Sequence, residues 1–309
     1  MPSKAALALA MDRVWCIDER YGLAQLEALR SVPGELMLGP RTLDEYALER
    51  VEVVFGGRAG GGMAHGGVHA FAVGAYQPRA DDQRPYAIVE GVAFIELSGP
   101  LLQRPSSMSG GTSTIFARRQ VRMAMVDDQV SEIVLLIDSP GGQSSGLGCL
   151  ADDIRMAAQK KTTVAYLSSM CASAAYWVAS QCSAIVASPY AQVGSIGVYT
   201  LLVDDVEKWA KDGYSLTLIS SGGIKGKWAT GQPVDDELVE DAQREVDAVF
   251  GDFVAAVARG RGISTAQVKS VGTGHCWRAD EAIALGLVDA TGTEDDVLSG
   301  LIAARAARS

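Results

Sequence analysis

The sequence holds little that would serve a metal or a redox centre. Its three histidines, His65, His69 and His275, are not clustered, and its five cysteines (Cys16, Cys149, Cys171, Cys182 and Cys276) form no Cys-x-x-Cys pair. An odd, scattered set of cysteines fits reduced thiols in a cytosol-like compartment, and no metal or organic cofactor is expected. Positive charge is short as well. The chain has 27 Lys and Arg against 37 Asp and Glu, a net charge of −10, and no basic block of five or more. That balance argues against a nucleic-acid groove as the main surface; an acidic surface is ordinarily a solubility feature. Long apolar runs are also missing. Asp12 and Arg13 interrupt the Ala/Leu run near the start, which does not suit a signal peptide. No stretch reaches the roughly 18 apolar residues that span a bilayer. The expectation is a soluble, cytoplasmic protein, not secreted, with no membrane anchor and no nucleic-acid partner.

What is present is an ordinary globular composition, 309 residues with 48% hydrophobic and 21% charged, enough for one large domain and a smaller appendage. Residues 1–55 carry helical patterning, with Leu23, Leu26, Ala28 and Leu29 at helical spacing, and are expected as an N-terminal helical extension. Residues 56–85 begin with GGRAGGGMAHGGVHA, glycine-dense and without period, and are expected as a linker. A phosphate-cradling loop would need a strand before it and a helix after it. His65 and His69 fall in this stretch and are taken as solvated.

From residue 86 the texture changes. Strands are expected at 87–97, 132–138, 162–168, 184–188 and 214–220, and helices at 113–128, 144–159, 172–181 and 203–212. EIVLLID (132–138) is a continuous apolar run, as in a strand buried on both faces. The alternation implies right-handed βαβ units and an α/β fold with a largely parallel sheet. A long helix at 235–259 has Val239, Ala242, Val246, Val249, Phe250, Phe253 and Val257 at helical spacing, a stripe for packing or subunit contact. At 278–292 a short helix stopped by Gly286 leads into a strand. The domain is expected over 86–292, with a C-terminal helix at 293–309.

Two segments put unusual residues after predicted strands, where a parallel sheet presents ligands. In IDSPGGQSSG (137–146), Pro140 fixes φ and Gly141–Gly142 admit positive φ. A backbone N–H can then turn outward toward an oxyanion, or the segment is a plain strand-to-helix turn. In SSMCASAAYWVAS (168–180), the small residues Ala172, Ser173, Ala174 and Ala175 open a helix. A serine there is either a cap or a nucleophile whose developing charge the helix N-terminus stabilises; the residues alone leave both open. A nucleophilic serine needs a base. None of the histidines is flanked by an orienting carboxylate, so a Ser–His–Asp triad finds little support. Lys225 and Lys227, in SGGIKGKWATG (221–231), can serve if desolvation lowers an amine pKa from about 10.4 toward 7–8. Otherwise they are solvated loop lysines.

Taken together, residues 86–292, about two-thirds of the chain, resemble the signal-peptide-peptidase A family of Ser–Lys peptidases, within the ClpP/crotonase superfamily. Residues 169–179 (SMCASAAYWVA) are similar to its nucleophile motif, which makes Ser173 the nucleophile. Ala174-Ala175 stand where the family usually has Gly-Gly, which narrows the site and leaves the Ala174 N–H for the oxyanion. Asp-Ser-Pro-Gly-Gly (138–142) resembles the oxyanion loop, with Gly142 as donor. Ser-Gly-Gly-Ile-Lys (221–225) resembles the base segment and assigns Lys225, with Lys227 as rival. Val-Gly-Ser-Ile-Gly-Val (193–198) is similar to the stretch whose serine, here Ser195, orients the lysine amine.

The resemblance implies a ClpP/crotonase-like fold of repeated ββα units, with a largely parallel sheet, a helical C-terminal arm and a partly flexible N-terminal extension. It implies a serine endopeptidase without cofactor or metal, and a homo-oligomer. The opening DRVWCIDERYGLAQLEALR, the glycine-rich gap and YAIVEGVAFIELSGPL are similar to the tailed-phage and prophage head-maturation branch. Substrates would then be scaffold, capsid or portal proteins in the host cytoplasm or assembling head, the enzyme's own termini and the 56–70 segment included. Since the chain stops at Ser309, a scaffold is expected as a separate polypeptide. Three rivals stand beside this reading. One is a bacterial cytosolic signal-peptide-peptidase-like protease. A crotonase-like acyl-CoA enzyme would share the oxyanion N–H groups but would not explain Ser173, Ser195 and Lys225 together. The third is a catalytically inactive capsid-assembly interaction protein, hinted at by Ala174-Ala175.

Overall fold

The computed structural model describes residues 15–17 (backbone only), 84–105 and 110–308. The rest of the expected extension, and the glycine-rich linker up to residue 83 with His65 and His69, lie outside the described residues. Along the chain come β1 (Trp15–Ile17), β2 (Ala87–Val89), β3 (Val92–Ser98), β4 (Leu101–Leu102), β5 (Thr112–Ser113), α1 (Thr114–Val126), β6 (Glu132–Ser139), β7 (Gly141–Gln143), α2 (Leu147–Lys160) and β8 (Thr163–Ala172). Then follow α3 (Ala174–Ala179), β9 (Ala184–Ala187), β10 (Gln192–Gly194), α4 (Val206–Lys211), α5 (Asp236–Arg261), α6 (Thr265–Val271), β11 (Cys276–Arg278), α7 (Ala279–Ala284), β12 (Ala290–Thr291) and α8 (Glu294–Ala306).

Among the described residues the strands form two sheets. In the larger one β3, β6 and β8 run parallel, β9 continues parallel along the first half of β8, and β10 along its second half. Antiparallel β2 and β11 close the ends. The expected mixed α/β architecture with a mostly parallel sheet is therefore present. The smaller sheet has the order β1-β7-β4-β5.

Alternation along the strands builds two apolar layers, because successive side chains point to opposite faces. Ala93, Ile95 and Leu97 of β3 join Ile133, Leu135 and Ile137 of β6 under α1, α2, α3 and α5. Val92, Phe94 and Val134 face the other way, against Val297 and Leu301 of α8. The β6 run is thus buried on both faces, as its unbroken apolar sequence requires. Helix α5 begins at Asp235, whose carboxylate accepts the Leu238 N–H at 2.9 Å, and ends at Gly262 with φ of 65°. Of its expected stripe, Ala242, Phe253 and Val257 are buried, while Val239 is exposed.

Two expectations about strands change. The single strand at 87–97 is a hairpin, turned at Glu90 and Gly91 with φ of 50° and 78°, the paired positive values a two-residue hairpin loop demands. The strand at 214–220 does not form: this segment has neither helix nor strand, and Tyr214, Leu216, Leu218 and Ile219 are exposed. A strand exists only through its ladder, and the outer edge of β10 is already taken by β11.

Candidate active site

Three adjacent strands bring the candidate residues together. Strands β6 and β8 stay paired to their ends across a register shift after Ile137, Ser139 lying opposite Cys171, and β8 meets β10 with Ala172 opposite Gly194. Gly142 lies just past the end of β6, Ser173 directly follows β8, and Ser195 directly follows β10. These are carboxyl ends of parallel strands, where the chain leaves the sheet and its backbone groups are free to face a ligand.

Ser173 occupies the bend between β8 and α3 with φ 54° and ψ −119°. A non-glycine residue in such a conformation costs about 1–3 kcal/mol. It persists here because both flanks are fixed. The Ser173 N–H donates to the Gly194 carbonyl at 2.7 Å. On the other side, the Tyr176 hydroxyl donates to the Leu287 carbonyl at 2.9 Å, and the Trp177 ring stacks on Phe253 with centroids 4.8 Å apart. Ser173 is 1% exposed and makes no capping bond to α3. Its hydroxyl instead points to the Gly197 carbonyl, at 3.5 Å. Of the two roles the sequence left open, the cap is not made.

Ser195 has the same backbone anomaly, φ 48°, and its N–H donates to the His275 carbonyl at 2.8 Å. Gly194 before it has φ 126°, and a Cβ there would sit 2.8 Å from that carbonyl. Sequence reasoning missed this contribution of His275, which acts through its backbone while its ring lies edge-on to Trp277. No periodicity reports a backbone carbonyl. The paired strain of Ser173 and Ser195 was equally hidden.

In the oxyanion-loop candidate, the Ser139 hydroxyl accepts the Gly141 N–H at 3.2 Å, and Gly141 has φ 104°. Gly142 is buried, and a Cβ on it would fall 1.9 Å from the Leu101 carbonyl oxygen. Strand β7 packs against α3, whose first residue is the fully buried Ala174. The first N–H groups of a helix have no intrahelical acceptor.

The lysines lie elsewhere. Lys225 is exposed, in the irregular stretch before α5, and no hydrogen bond links it to Ser173 or Ser195. Lys227 donates to Asp235 at 2.7 Å and Glu237 at 2.6 Å. Those bonds, the one to Asp235 foremost, hold its pKa above the usual lysine value, the opposite of what a general base needs. Among the described residues no group of three or more His, Cys, Asp or Glu side chains is placed to hold a metal ion, and no helix is long and apolar enough to cross a membrane.

Comparison with known proteins bears on the same residues. The profile of peptidase family S49 matches residues 155–307, a span that includes Ser173, Ser195 and Lys225 and stops short of Gly142. The head-tail preconnector protein GP5 of Enterobacteria phage P21 is 32% identical over 219 residues, 70% of this chain and 44% of that protein. Capsid assembly protease C of Escherichia phage lambda is 31% identical over 221 residues, 70% of this chain and 50% of that protein. Protease 4 of Salmonella typhi is 28% identical over 221 residues, 67% of this chain and 34% of that protein. The chain thus spans about half or less of the length of these relatives. With a strained, buried serine between a parallel strand and a helix inside the span that the profile matches, residues 155–307 belong to peptidase family S49.

Proposed function

We propose that the chain is a serine endopeptidase with a Ser–Lys dyad, acting on structural proteins of an assembling phage head. The observation that carries the reading is Ser173 itself: buried, strained, uncapped, and held by Gly194 beside the glycine loop. Strain of this kind fixes a hydroxyl in one direction before substrate arrives. Lys225 as a neutral amine takes the Ser173 proton, and Oγ attacks the scissile carbonyl. The N–H groups of Gly142 and Ala174 receive the oxyanion, a stabilisation of the kind that costs about 10²–10³ in rate when one donor is removed. The protonated Lys225 then gives its proton to the leaving amine, and as the free base it activates the water that releases the acyl group. Ser195 orients the amine.

Lys225 can act only when freed of water, since desolvation is what lowers an amine pKa. The segment that bears it also exposes Tyr214, Leu216, Leu218 and Ile219. Self-association that covers those residues would dry Lys225 as well, which ties the proposed homo-oligomer and its ClpP/crotonase-like architecture to activity. The names of the two phage relatives, a head-tail preconnector protein and a capsid assembly protease, support head assembly as the setting, with scaffold, capsid or portal proteins as substrates in the host cytoplasm.

The test is mass spectrometry of cleavage products after co-expression of the chain with its neighbouring head proteins. Wild type and Lys227→Ala should process them, while Ser173→Ala and Lys225→Ala should not. Processing that survives Ser173→Ala would overturn the assignment, and loss in Lys227→Ala with activity in Lys225→Ala would move the base.

A further inference from the structure

Strand β7 has two edges, and both are occupied. On one side β4 lies parallel, with Leu101 opposite Gly142. That side is fixed: the Leu101 carbonyl sits where a Gly142 side chain would be. On the other side β1 runs antiparallel, with Trp15 opposite Gln143, Cys16 opposite Gly142 and Ile17 opposite Gly141. β1 is the edge of its sheet and only three residues long.

The proposed chemistry needs an extended polypeptide whose scissile carbonyl reaches both Ser173 and the Gly142 N–H. Such a chain must lie along β7, and only the edge away from β4 can receive it. Adding a strand to an open sheet edge gives affinity through main-chain hydrogen bonds whatever the side chains. That edge holds the chain's own residues 15–17. From this juxtaposition, and resting on the peptidase reading, we infer that β1 is a resident strand in the substrate's place, a cis occupant that polypeptide substrates must displace.

The consequences follow from mass action. A binding-competent state populated in a fraction of the molecules raises the apparent Kd by the inverse of that fraction. A resident strand in place in about nine molecules of ten therefore weakens substrate binding about tenfold. A three-residue strand has few ladder bonds, so it yields to a longer substrate that pairs beyond Gly141–Gln143. The same covalent attachment that makes β1 an effective competitor also makes it the first polypeptide to meet Ser173.

The test uses the full chain carrying Ser173→Ala, so that nothing is cut. Adjacent residues of an edge strand aim their N–H groups to opposite sides, so the double variant Cys16→Pro/Ile17→Pro removes whichever one faces β7, and Cys16→Ser keeps both. The probe is a fluorescent decapeptide with the sequence of residues 11–20, followed by anisotropy. Alongside it, hydrogen exchange is read at the Gly141–Gln143 amides. The double proline variant should bind the probe about fivefold tighter or more. Its β7 amides should exchange faster without the probe and regain protection with it, while Cys16→Ser matches its parent. Equal affinity in all these chains would overturn the inference, and so would faster exchange with unchanged affinity. The peptidase reading is judged separately, by reaction of wild-type Ser173 with a fluorophosphonate. Failure there leaves the strand-competition result standing on its own.

Discussion

Gly142 is the residue whose replacement is most sharply constrained. A Cβ at this position would lie 1.9 Å from the Leu101 carbonyl oxygen and 2.6 Å from its carbon, and backbone in a paired strand cannot retreat as a flexible side chain can. Gly142→Ala should lower stability by about 1–3 kcal/mol, as overpacking does, and slow fluorophosphonate labelling of Ser173 by tenfold or more. Gly148→Ala is the control, because nothing lies within 4 Å of a Cβ there. In helix α2 that change should be neutral or stabilising by about 0.5–1 kcal/mol. Thermal unfolding and labelling rates of the two variants check both halves. The sequence marked Gly141 and Gly142 as a pair free to take positive φ. Only Gly141 does so, at 104°, and Gly142 is glycine because β4 approaches it. Ser173 was legible as cap or nucleophile because both uses favour a small hydroxyl at a strand-to-helix bend. The deciding facts, its φ and the missing capping bond, belong to the backbone and leave no mark on composition.

Helix α3 is too short to hold Ser173 by itself and is fixed by what it packs on. Trp177 stacks on Phe253 of α5 with an interplanar angle of 14°. The Gln181 amide just beyond α3 reaches the Ala256 carbonyl at 3.0 Å, and α5 comes close enough that a Cβ on Gly260 would meet the Ser180 carbonyl at 2.0 Å. Phe253→Ala should therefore cost about 3–5 kcal/mol, the usual range for a fully buried aromatic. It should also slow Ser173 labelling under conditions where the variant remains folded; denaturant unfolding and labelling kinetics give the two numbers. Unchanged labelling in the folded variant would mean that α3 is held by other contacts. The long helix was readable because its caps and its 3.6-residue stripe agree with each other. Residues 214–220 alternate as a strand does, yet the outer edge of β10 is taken by β11, and alternation carries no information about edges. Strand β1 was obscured for the opposite reason: three residues lie inside a stretch whose patterning is helical.

At the scale of the molecule, the C-terminal third is tied back to the sheet by ion pairs. The Arg305 guanidinium meets the buried Glu132 at 3.0 Å and Arg308 meets it at 3.3 Å, securing α8 to the start of β6. Arg261, 7% exposed, bridges to Asp289, whose carboxylate also accepts the Ile185 N–H at 2.7 Å. Burial opposes ionisation of Asp289. The hydrogen bonds from Arg261 and Ile185, with the guanidinium charge, outweigh it and hold the carboxyl below its usual range. At Asp127 burial is likewise outweighed, by the Gln129 N–H, the Tyr86 hydroxyl and Arg84. A carboxyl whose folded pKa is depressed contributes stability that is complete above its unfolded pKa, about 3.9. That contribution drains away as pH falls through the folded value. The melting temperature should therefore hold nearly level from pH 7 to 5 and fall steeply below about pH 4. Asp289→Asn should melt lower than wild type at pH 7 and show a shallower acid limb, keeping the part of the fall that Asp127 supplies. The two curves should converge at the acid end, where wild-type Asp289 is itself protonated. Parallel curves across the whole range would mean that the Arg261–Asp289 bridge does not set the acid sensitivity of the fold.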